Sequence, residues 1–185
     1  MSSATKTRKI SKKEKDLQFI KNPALKRAAG NVGIQRVSKN VYDVTREILR
    51  QRLKHILDTA ISFVKNSGRK TLKTTDVLAA MRVLGYKVAF TSGQIVDTTG
   101  FEGKKMKDFN FEFQQAPIKK FIKNYGGKSL RLQQNAVNLI QLSIENYVDD
   151  LYRDSKVVSE HCKRKGINGS DVNLASGIRG DSKLY

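Results

Sequence analysis

The sequence has few of the residues that build disulfide-bonded, strand-rich or membrane-spanning proteins. It contains one cysteine, two prolines and no tryptophan among 185 residues. The single cysteine, Cys162, excludes an internal disulfide framework and fits a reducing compartment. No apolar run approaches the roughly 18 residues of a membrane span, and no apolar segment follows the first charges as in a secretory signal. These features predict a mostly helical protein without a membrane partner.

Acidic residues are also scarce. The chain has 36 lysines and arginines against 17 aspartates and glutamates, which gives a net charge of +19. The excess is uneven: residues 1–90 hold 21 basic and 6 acidic residues, and residues 91–185 hold 15 and 11. So large a positive charge predicts a polyanionic partner, of which nucleic acid is the commonest. Residues 1–21 are predicted to be a basic N-terminal tail.

Two short motifs suggest an enzyme or a metal site, and both fail on spacing. Residues 127–129 read Gly-Lys-Ser like the end of a phosphate-binding P-loop, but Ile122 stands where the first glycine belongs and no strand precedes it. His161 and Cys162 are adjacent, yet the only other histidine is His55 and no spacing supplies four metal ligands. With no credible nucleophile–base set either, we expect no catalytic residue, no metal and no cofactor.

One long helix organises the first half of the chain. Apolar residues recur at three-and-four spacing from residue 40 to residue 67, and Gly68 follows. A short helix is predicted to start at Asn22-Pro23 and to stop at Gly30-Asn31. Another is predicted to be capped by Thr74 or Thr75 and to end at Gly85. Residues 22–90 therefore form a short–long–short helical unit.

The same pattern returns 95 residues later. Arg36, Arg69, Lys70 and Asp76 correspond to Arg131, Arg164, Lys165 and Asp171, which indicates an internal duplication. The second unit spans residues 117–180, with a long helix from about 133 to 162 and a last helix capped by Ser170. Residues 91–116 are the linker, in which the period-two segment 108–113 is either a short strand or an apolar clip. Residues 181–185 are a C-terminal tail.

These motifs resemble the core histones. Residues 34–42, 69–71 and 75–77 resemble histone H4. The positions that resemble histone H3 are residues 130–133, 136–137, 163–164, 171–172, 174–175 and 178–180, with Glu145, Tyr147, Asp154, His161 and Ile167. Their order in one polypeptide resembles the histone doublets of giant DNA viruses. The resemblance implies an all-α fold with two histone folds that clasp each other in an intramolecular handshake. Each long helix has more apolar surface than two short helices can cover, so the units need each other.

The resemblance implies a structural DNA-packaging protein that wraps double-stranded DNA into nucleosome-like particles without reading bases. By resemblance, Arg36 and Arg131 enter the minor groove. Phosphates are expected at Lys70, Thr71 and Lys165, and at Lys26 and Arg27 on the first short helix. The pairs Arg69–Asp76 and Arg164–Asp171 are expected to brace the loops against the following helices.

The resemblance also predicts partners. Val158, His161, Arg164, Asp171 and Leu174 match the four-helix bundle through which two copies of histone H3 join. A second copy should therefore bind through residues about 158–178, with His161 opposite Asp171. A doublet like the histone H-two-B/H-two-A pair is the further partner expected, near residues 86–90. The expected location is chromatin and, for a viral protein, the virion and the viral factory or host nucleus.

Two other functions remain open at this point. A histone-fold subunit of a transcription or replication complex would use the same handshake to read DNA or to dock proteins. A basic helical protein that binds RNA would share the charge but not the paired arginine loops. Preference for one DNA sequence would favour the first, and competition by RNA would favour the second.

Overall fold

A computed structural model of the chain describes residues 19–86, 111–127 and 129–180. The first unit consists of α1 (Asn22–Asn31), β1 (Arg36–Val37), α2 (Lys39–Asn66), β2 (Thr71–Leu72) and α3 (Thr74–Val83). The second consists of α4 (Gln115–Gly126), β3 (Arg131–Leu132), α5 (Gln134–His161), β4 (Gly166–Ile167) and α6 (Gly169–Ile178). The predicted helical fold of two short–long–short units is confirmed. None of the helices in these segments combines the length and apolar character of a membrane span.

The predicted duplication is visible in the elements themselves. The bounds of β1, α2, β2 and α3, shifted by 95 positions, coincide with those of β3, α5, β4 and α6. Gly68, which follows α2, has a φ of 63°, and the residue 95 positions later is Lys163 with a φ of 55°. The one departure is α4, which begins at Gln115, two residues before the predicted start at Pro117.

The two units are joined through their loops. β1 pairs in parallel with β4, and β2 pairs in parallel with β3. Each pairing therefore joins the first loop of one unit to the second loop of the other. The long helices share one core, which the predicted intramolecular handshake requires. Its fully buried side chains include Leu49, Leu53, Ile56, Leu57, Leu139, Ile140 and Tyr152.

The predicted hydroxyl caps of α3 and α6 do not form, because Thr74, Thr75 and Ser170 lie within the helices. Lys73 and Asn168 precede the helices instead. The carboxylates of Asp76 and Asp171, in the first turn of each helix, accept hydrogen bonds from the backbone N–H of Lys73 at 2.9 Å and of Asn168 at 2.8 Å. The aspartates thus satisfy a free donor at each helix start.

The last residues of the predicted tail are part of the core. Phe19 and Ile20 are 5% and 2% exposed. The buried guanidinium of Arg46 on α2 donates from Nε to the backbone carbonyl of Ile20 at 2.8 Å, and it also bonds the side chains of Asn22 and Asp43. Asn22, predicted to cap α1, therefore accepts from Arg46. Residues 1–18 lie outside the described segments.

Residues 111–113 form no strand and pack as an apolar clip. Phe113 is 4% exposed, and its backbone carbonyl accepts a hydrogen bond from Gln141 Nε2 at 2.7 Å. The Glu145 carboxylate accepts from the backbone N–H of Glu112 at 3.3 Å and of Phe113 at 3.0 Å. The clip therefore attaches the start of the second unit to the middle of α5. Residues 108–110 lie outside the described segments.

Arg52 links the end of the first unit to the second unit. Its guanidinium lies 3.6 Å from the ring centroid of Tyr86 and 4.1 Å from that of Tyr147 on α5. Arg52 is only 8% exposed, so these cation–π contacts are largely desolvated and stabilise the handshake. Residues 87–90, which belong to the segment expected near the H-two-B/H-two-A partner, lie outside the described segments.

Asp149, close to the clip, weakens the fold when it ionises. Burial raises its pKa to about 6, and the charges of Glu112, Glu145 and Asp150 add to the effect while Arg153 opposes it. The pKa of Asp149 is higher in the folded protein than in the unfolded chain. Its protonated carboxyl therefore contributes fully to the free energy of unfolding below about pH 4, and this contribution is lost as the pH rises through about 6. We expect Asp149→Asn to raise the free energy of unfolding at pH 7 and to flatten its decline between these values in urea titrations.

Asp150→Asn is the matched control. The Asp150 carboxylate lies 3.6 Å from a guanidinium nitrogen of Arg153 and 3.6 Å from one of Arg179, so its removal also removes favourable contacts. We expect no gain in stability from this variant. A loss of stability at pH 7 in Asp149→Asn would contradict the prediction.

Candidate nucleic-acid interface

The first loop pair presents one arginine and one lysine. Arg36 on β1 lies opposite Gly166 on β4, and Val37 lies opposite Ile167. The N–H of Ser38 donates to the carbonyl of Ile167 at 3.1 Å, which fixes the register. The side chains of Arg36 and of Lys165, which precedes Gly166, are both exposed. The structure thus brings these two predicted DNA contacts to one edge.

The second loop pair repeats this arrangement. Arg131 on β3 lies opposite Thr71 on β2, and its N–H donates to the carbonyl of Lys70 at 2.8 Å. The N–H of Gln133 donates to the carbonyl of Leu72 at 3.1 Å. Arg131 and Lys70 are exposed, and Thr71 is half-buried. These three predicted DNA contacts are therefore adjacent as well.

The two loop pairs stand at opposite ends of the long helices. β1 precedes α2 and β2 follows it, and α2 is 28 residues long. At 1.5 Å of rise per residue this helix separates the loop pairs by about 40 Å. The molecule therefore carries two equivalent cationic sites, and each of them is built from both units.

Each second loop is held to the helix that follows it. Arg69 bonds both carboxylate oxygens of Asp76, at 2.8 and 3.2 Å, and Arg164 bonds both of those of Asp171, at 2.6 and 3.0 Å. Asp76 and Asp171 are 5% and 2% exposed. These bidentate contacts hold the backbone on which Lys70 and Lys165 stand.

The bonding shifts the pKa values of the pairs. Burial acts to raise the pKa of Asp171, but the hydrogen bonds from Arg164 and Asn168 and the charge of Arg164 outweigh it, so the pKa falls below its usual value. Hydrogen bonding to the aspartates raises the pKa of Arg69 and of Arg164. Because the folded pKa of Asp171 is depressed, its contribution to stability is present at neutral pH and is lost only as the pH falls below about 4.

Gly166 permits the close approach of β4 to β1. A Cβ at this position would lie 2.9 Å from the Cβ of Arg36 and 3.0 Å from its carbonyl oxygen. We expect Gly166→Ala to force the strands apart and to lower the free energy of unfolding by about 1–2 kcal/mol, as measured by denaturant unfolding.

Gly30→Ala is the control for this substitution. Gly30 lies in α1, and a Cβ there has no neighbour within 4 Å. Alanine should therefore stabilise α1 by up to about 1 kcal/mol. Equal changes in the free energy of unfolding for Gly166→Ala and Gly30→Ala would contradict the conclusion that the contact between β4 and β1 requires a glycine.

A third basic region lies where α1 and α4 begin. The exposed Arg27 on α1 donates to the backbone carbonyl of Glu112 at 3.0 Å, and Lys26 beside it is exposed. A cavity of about 120 Å³ is lined by Lys21 and Pro23 at the start of α1 and by Gln114 and Pro117 at the start of α4. Helix N-termini have free N–H groups and attract anions. The handshake therefore brings two such ends together.

No local sequence pattern points to Lys21, which borders this region. Each helix start carried a local signal, the prolines Pro23 and Pro117. Only the pairing of the units makes the two starts neighbours, so no local signal could have identified their junction.

The residues predicted to bind a second copy are only partly exposed. His161 is exposed, Leu174 is 53% exposed and Val158 is half-buried. Arg164 and Asp171 are bonded to each other within the chain. Two further apolar side chains near these positions are exposed, Val157 at 65% and Ile178 at 73%. The described residues contain no cluster of side chains suited to a metal ion.

The chain is 30% identical over 69 residues to "Histone H4, major" of Tetrahymena pyriformis, in a match that covers 37% of this chain and 67% of that protein. The chain belongs to the core histone family. This histone is also 32% identical over 69 residues to the histone H4 of Entamoeba histolytica, in a match that covers 37% of this chain and 58% of that protein. It is thus a DNA-binding chromatin protein of a family whose members are structural proteins rather than enzymes.

The two units of this histone match different family models. Residues 99–178 match the core histone domain that histones H-two-A, H-two-B, H3 and H4 share, and residues 17–82 match the TATA box binding protein associated factor (TAF) family. The crystal structure of the histone from Methanopyrus kandleri superposes with a TM-score of 0.61 at 22% identity. That match covers 84% of this chain and 92% of the archaeal chain, so the shared fold extends over both units.

Proposed function

We propose that this histone packages double-stranded DNA by wrapping it into nucleosome-like particles, through phosphate and minor-groove contacts that read no bases. The observation that supports this most strongly is the pair of equivalent loop sites. Each offers an exposed arginine, Arg36 or Arg131, beside an exposed lysine, Lys165 or Lys70. Contacts from such cations to phosphates position DNA but carry no sequence information.

The spacing of the two sites favours wrapping. Arg36 and Arg131 enter the minor groove, and Lys70, Thr71 and Lys165 bind the flanking phosphates. The sites are about 40 Å apart along α2, which exceeds one helical turn of duplex, about 34 Å. A duplex that reaches both must therefore follow the protein over more than one turn. Lys26 and Arg27, near the joined starts of α1 and α4, offer further phosphate contacts between them.

The proposal includes two protein partners. The second unit acts as a histone H3-like half, and a second copy binds at the exposed end of α5 and at α6, through residues about 158–178. The exposed Leu174 supports this surface. His161 is expected to lie opposite Asp171 of the other copy, although that carboxylate already accepts from Arg164 in its own chain. A doublet like the histone H-two-B/H-two-A pair completes the particle.

The location follows from the assembly. A core histone is associated with chromatin. If the fused H4-like and H3-like order reflects a viral origin, as its resemblance to viral doublets suggests, the virion and the viral factory or host nucleus are where the particles form.

Digestion with micrococcal nuclease tests the proposal. The full chain is reconstituted on long DNA with and without a doublet like the H-two-B/H-two-A pair, and the protected fragments are sized. We expect a discrete fragment of about 120–147 base pairs with the partner, the upper value being that of cellular octamers. A shorter discrete ladder from this chain alone would support wrapping by two copies. A smear in both reactions would refute the proposal.

One observation favours a second candidate function. The TAF family model matches residues 17–82, so a subunit of a transcription or replication complex shares the fold of the first unit. Such a subunit would bind DNA with sequence preference or would dock proteins. Selection from a random DNA library separates the two: enrichment of one sequence favours the complex subunit, and no enrichment favours packaging.

A further inference from the structure

A groove of about 570 Å³ runs between α4 and α2. Its floor is a row of three aromatic rings. The centroids of Phe19 and Phe121 are 5.2 Å apart, and those of Phe121 and Tyr125 are 6.3 Å apart with the rings nearly parallel. Tyr125 is 38% exposed and Phe19 is buried, so the row extends from the core to the surface.

The rim of the groove is cationic. Lys21, Lys54 and Lys120 line it from three elements: the segment before α1, α2 and α4. All three side chains are exposed. The carboxylate of Asp58 accepts a hydrogen bond from the hydroxyl of Tyr125 at 2.6 Å. This bond holds the outermost ring in place and raises the pKa of Tyr125 to about 12.

Rings and lysines together define the chemistry of an occupant. A phosphate group needs donors and gains nothing from a row of rings, whereas an aromatic side chain gains both burial and ring contacts. Three lysines at the rim attract carboxylates. The volume lies within the range of about 300–1,000 Å³ that is usual for ligand sites, enough for one large side chain and its neighbours.

We propose that this groove binds a short acidic segment of another protein. An aromatic side chain of that segment packs against the rings of Phe19, Phe121 and Tyr125. Flanking aspartates or glutamates pair with Lys21, Lys54 and Lys120. This site is separate from the loop pairs and does not depend on the proposed wrapping of DNA.

Occupancy of the groove should compete with DNA on this part of the surface. The groove and the smaller cavity at the starts of α1 and α4 share Phe19, Lys21, Gln114 and Pro117. A segment bound in the groove would therefore place its carboxylates beside the two helix N-termini. The acidic segment and the phosphates of DNA should not occupy this surface together.

Peptide binding to the full chain tests the proposal. The probe is a fluorescein-labelled ten-residue peptide with one phenylalanine among aspartates and glutamates, and binding is followed by anisotropy. Two control peptides replace phenylalanine with serine, or the acids with asparagine and glutamine. We expect each control to bind at least about tenfold more weakly, because each lacks one of the two contact types.

Charge reversals locate the site. We expect Lys54→Glu with Lys120→Glu to weaken binding of the acidic peptide by about tenfold or more. Lys39→Glu with Lys123→Glu is the matched control, because these exposed lysines lie on the same two helices, α2 and α4, outside the groove. The control pair should weaken binding by no more than about threefold, through long-range charge alone.

A filled groove provides a test that leaves the charge unchanged. Ala116 lines the groove and is exposed, so Ala116→Trp should occupy the space without disturbing the core, and circular dichroism checks the helix content. We expect this variant to lose the preference for phenylalanine over serine. Equal binding of the two acidic peptides by the unmodified chain, or equal loss in both charge-reversal pairs, would overturn the proposal. If Lys54→Glu with Lys120→Glu weakened the binding of duplex DNA but left the binding of the acidic peptide unchanged, the groove would be assigned to DNA.

Discussion

Replacing both Arg36 and Arg131 with alanine is expected to weaken duplex DNA binding by about 100-fold at physiological salt, or about tenfold for each site. Both side chains are exposed and stand at equivalent positions of the two loop pairs. In the proposed complex, each substitution removes one arginine from the minor groove together with the counterion release that its binding would give. Anisotropy titrations at several salt concentrations should show a salt slope lower by about two, and a single variant should show half of this change.

The fold should survive this double substitution, which makes the effect interpretable. Arg36 and Arg131 join the loop pairs through backbone atoms, and these remain in alanine. The matched control is Lys123→Ala with Arg153→Ala, which removes the same charge from exposed positions on α4 and α5. The control should lose only a few-fold in affinity through the smaller net charge. Equal losses in the two double variants would mean that total charge, rather than the loop sites, determines binding.

The repeat was the part of the architecture that the sequence predicted best. The long helix of each unit is read from apolar residues at three-and-four spacing, which is a local signal. Gly68 ends the first helix through its positive φ, another local property. Arg36 and Arg131 each lie three residues before the long helix of their unit, so the sequence also predicted that they are equivalent. The pairing of their loops followed from the need of each unit for a partner.

The helix starts were predicted less well, because several side chains near each start can accept a hydrogen bond from its free backbone N–H groups. Thr74 and Ser170 are good capping residues in isolation, yet they are the first residue of α3 and the second residue of α6, inside the helices they were expected to cap. Asp76 and Asp171 satisfy the free donors instead, since each carboxylate can accept from the backbone and from an arginine together. The choice depends on the position of the two arginines, which tertiary structure decides.

Two arginines on α2 show what the sequence could not reveal. Arg46 and Arg52 interrupt the apolar pattern and resemble solvated charges, but they are 5% and 8% exposed. Their partners are the carbonyl of Ile20 for Arg46 and the rings of Tyr86 and Tyr147 for Arg52. Tyr147 belongs to the other unit, and no spacing rule links it to Arg52. The groove beside α4 escaped detection for the same reason, since Phe121 and Tyr125 stand on α4 but Phe19 comes from the segment before α1.

Arg46→Met is expected to lower the free energy of unfolding by about 3 kcal/mol. Methionine keeps most of the volume but cannot donate to the carbonyl of Ile20, which is 2% exposed, or to the side chain of Asn22. A buried carbonyl without its donor bears the full cost of desolvation. Urea unfolding followed by circular dichroism measures the change.

The matched control, Arg153→Met, should cost less than about 0.5 kcal/mol. Arg153 is 67% exposed and lies 3.6 Å from Asp150 one helical turn away, so water already screens the pair. If Arg46→Met were as mild as this control, the segment before α1 would not be held by the guanidinium. If the loss is as large as expected, the variant should also release Phe19 from its place beside Phe121, because Ile20 and Phe19 are adjacent and share that anchor. Proteolysis near residue 20 should then become faster in Arg46→Met than in Arg153→Met, under conditions where both remain folded.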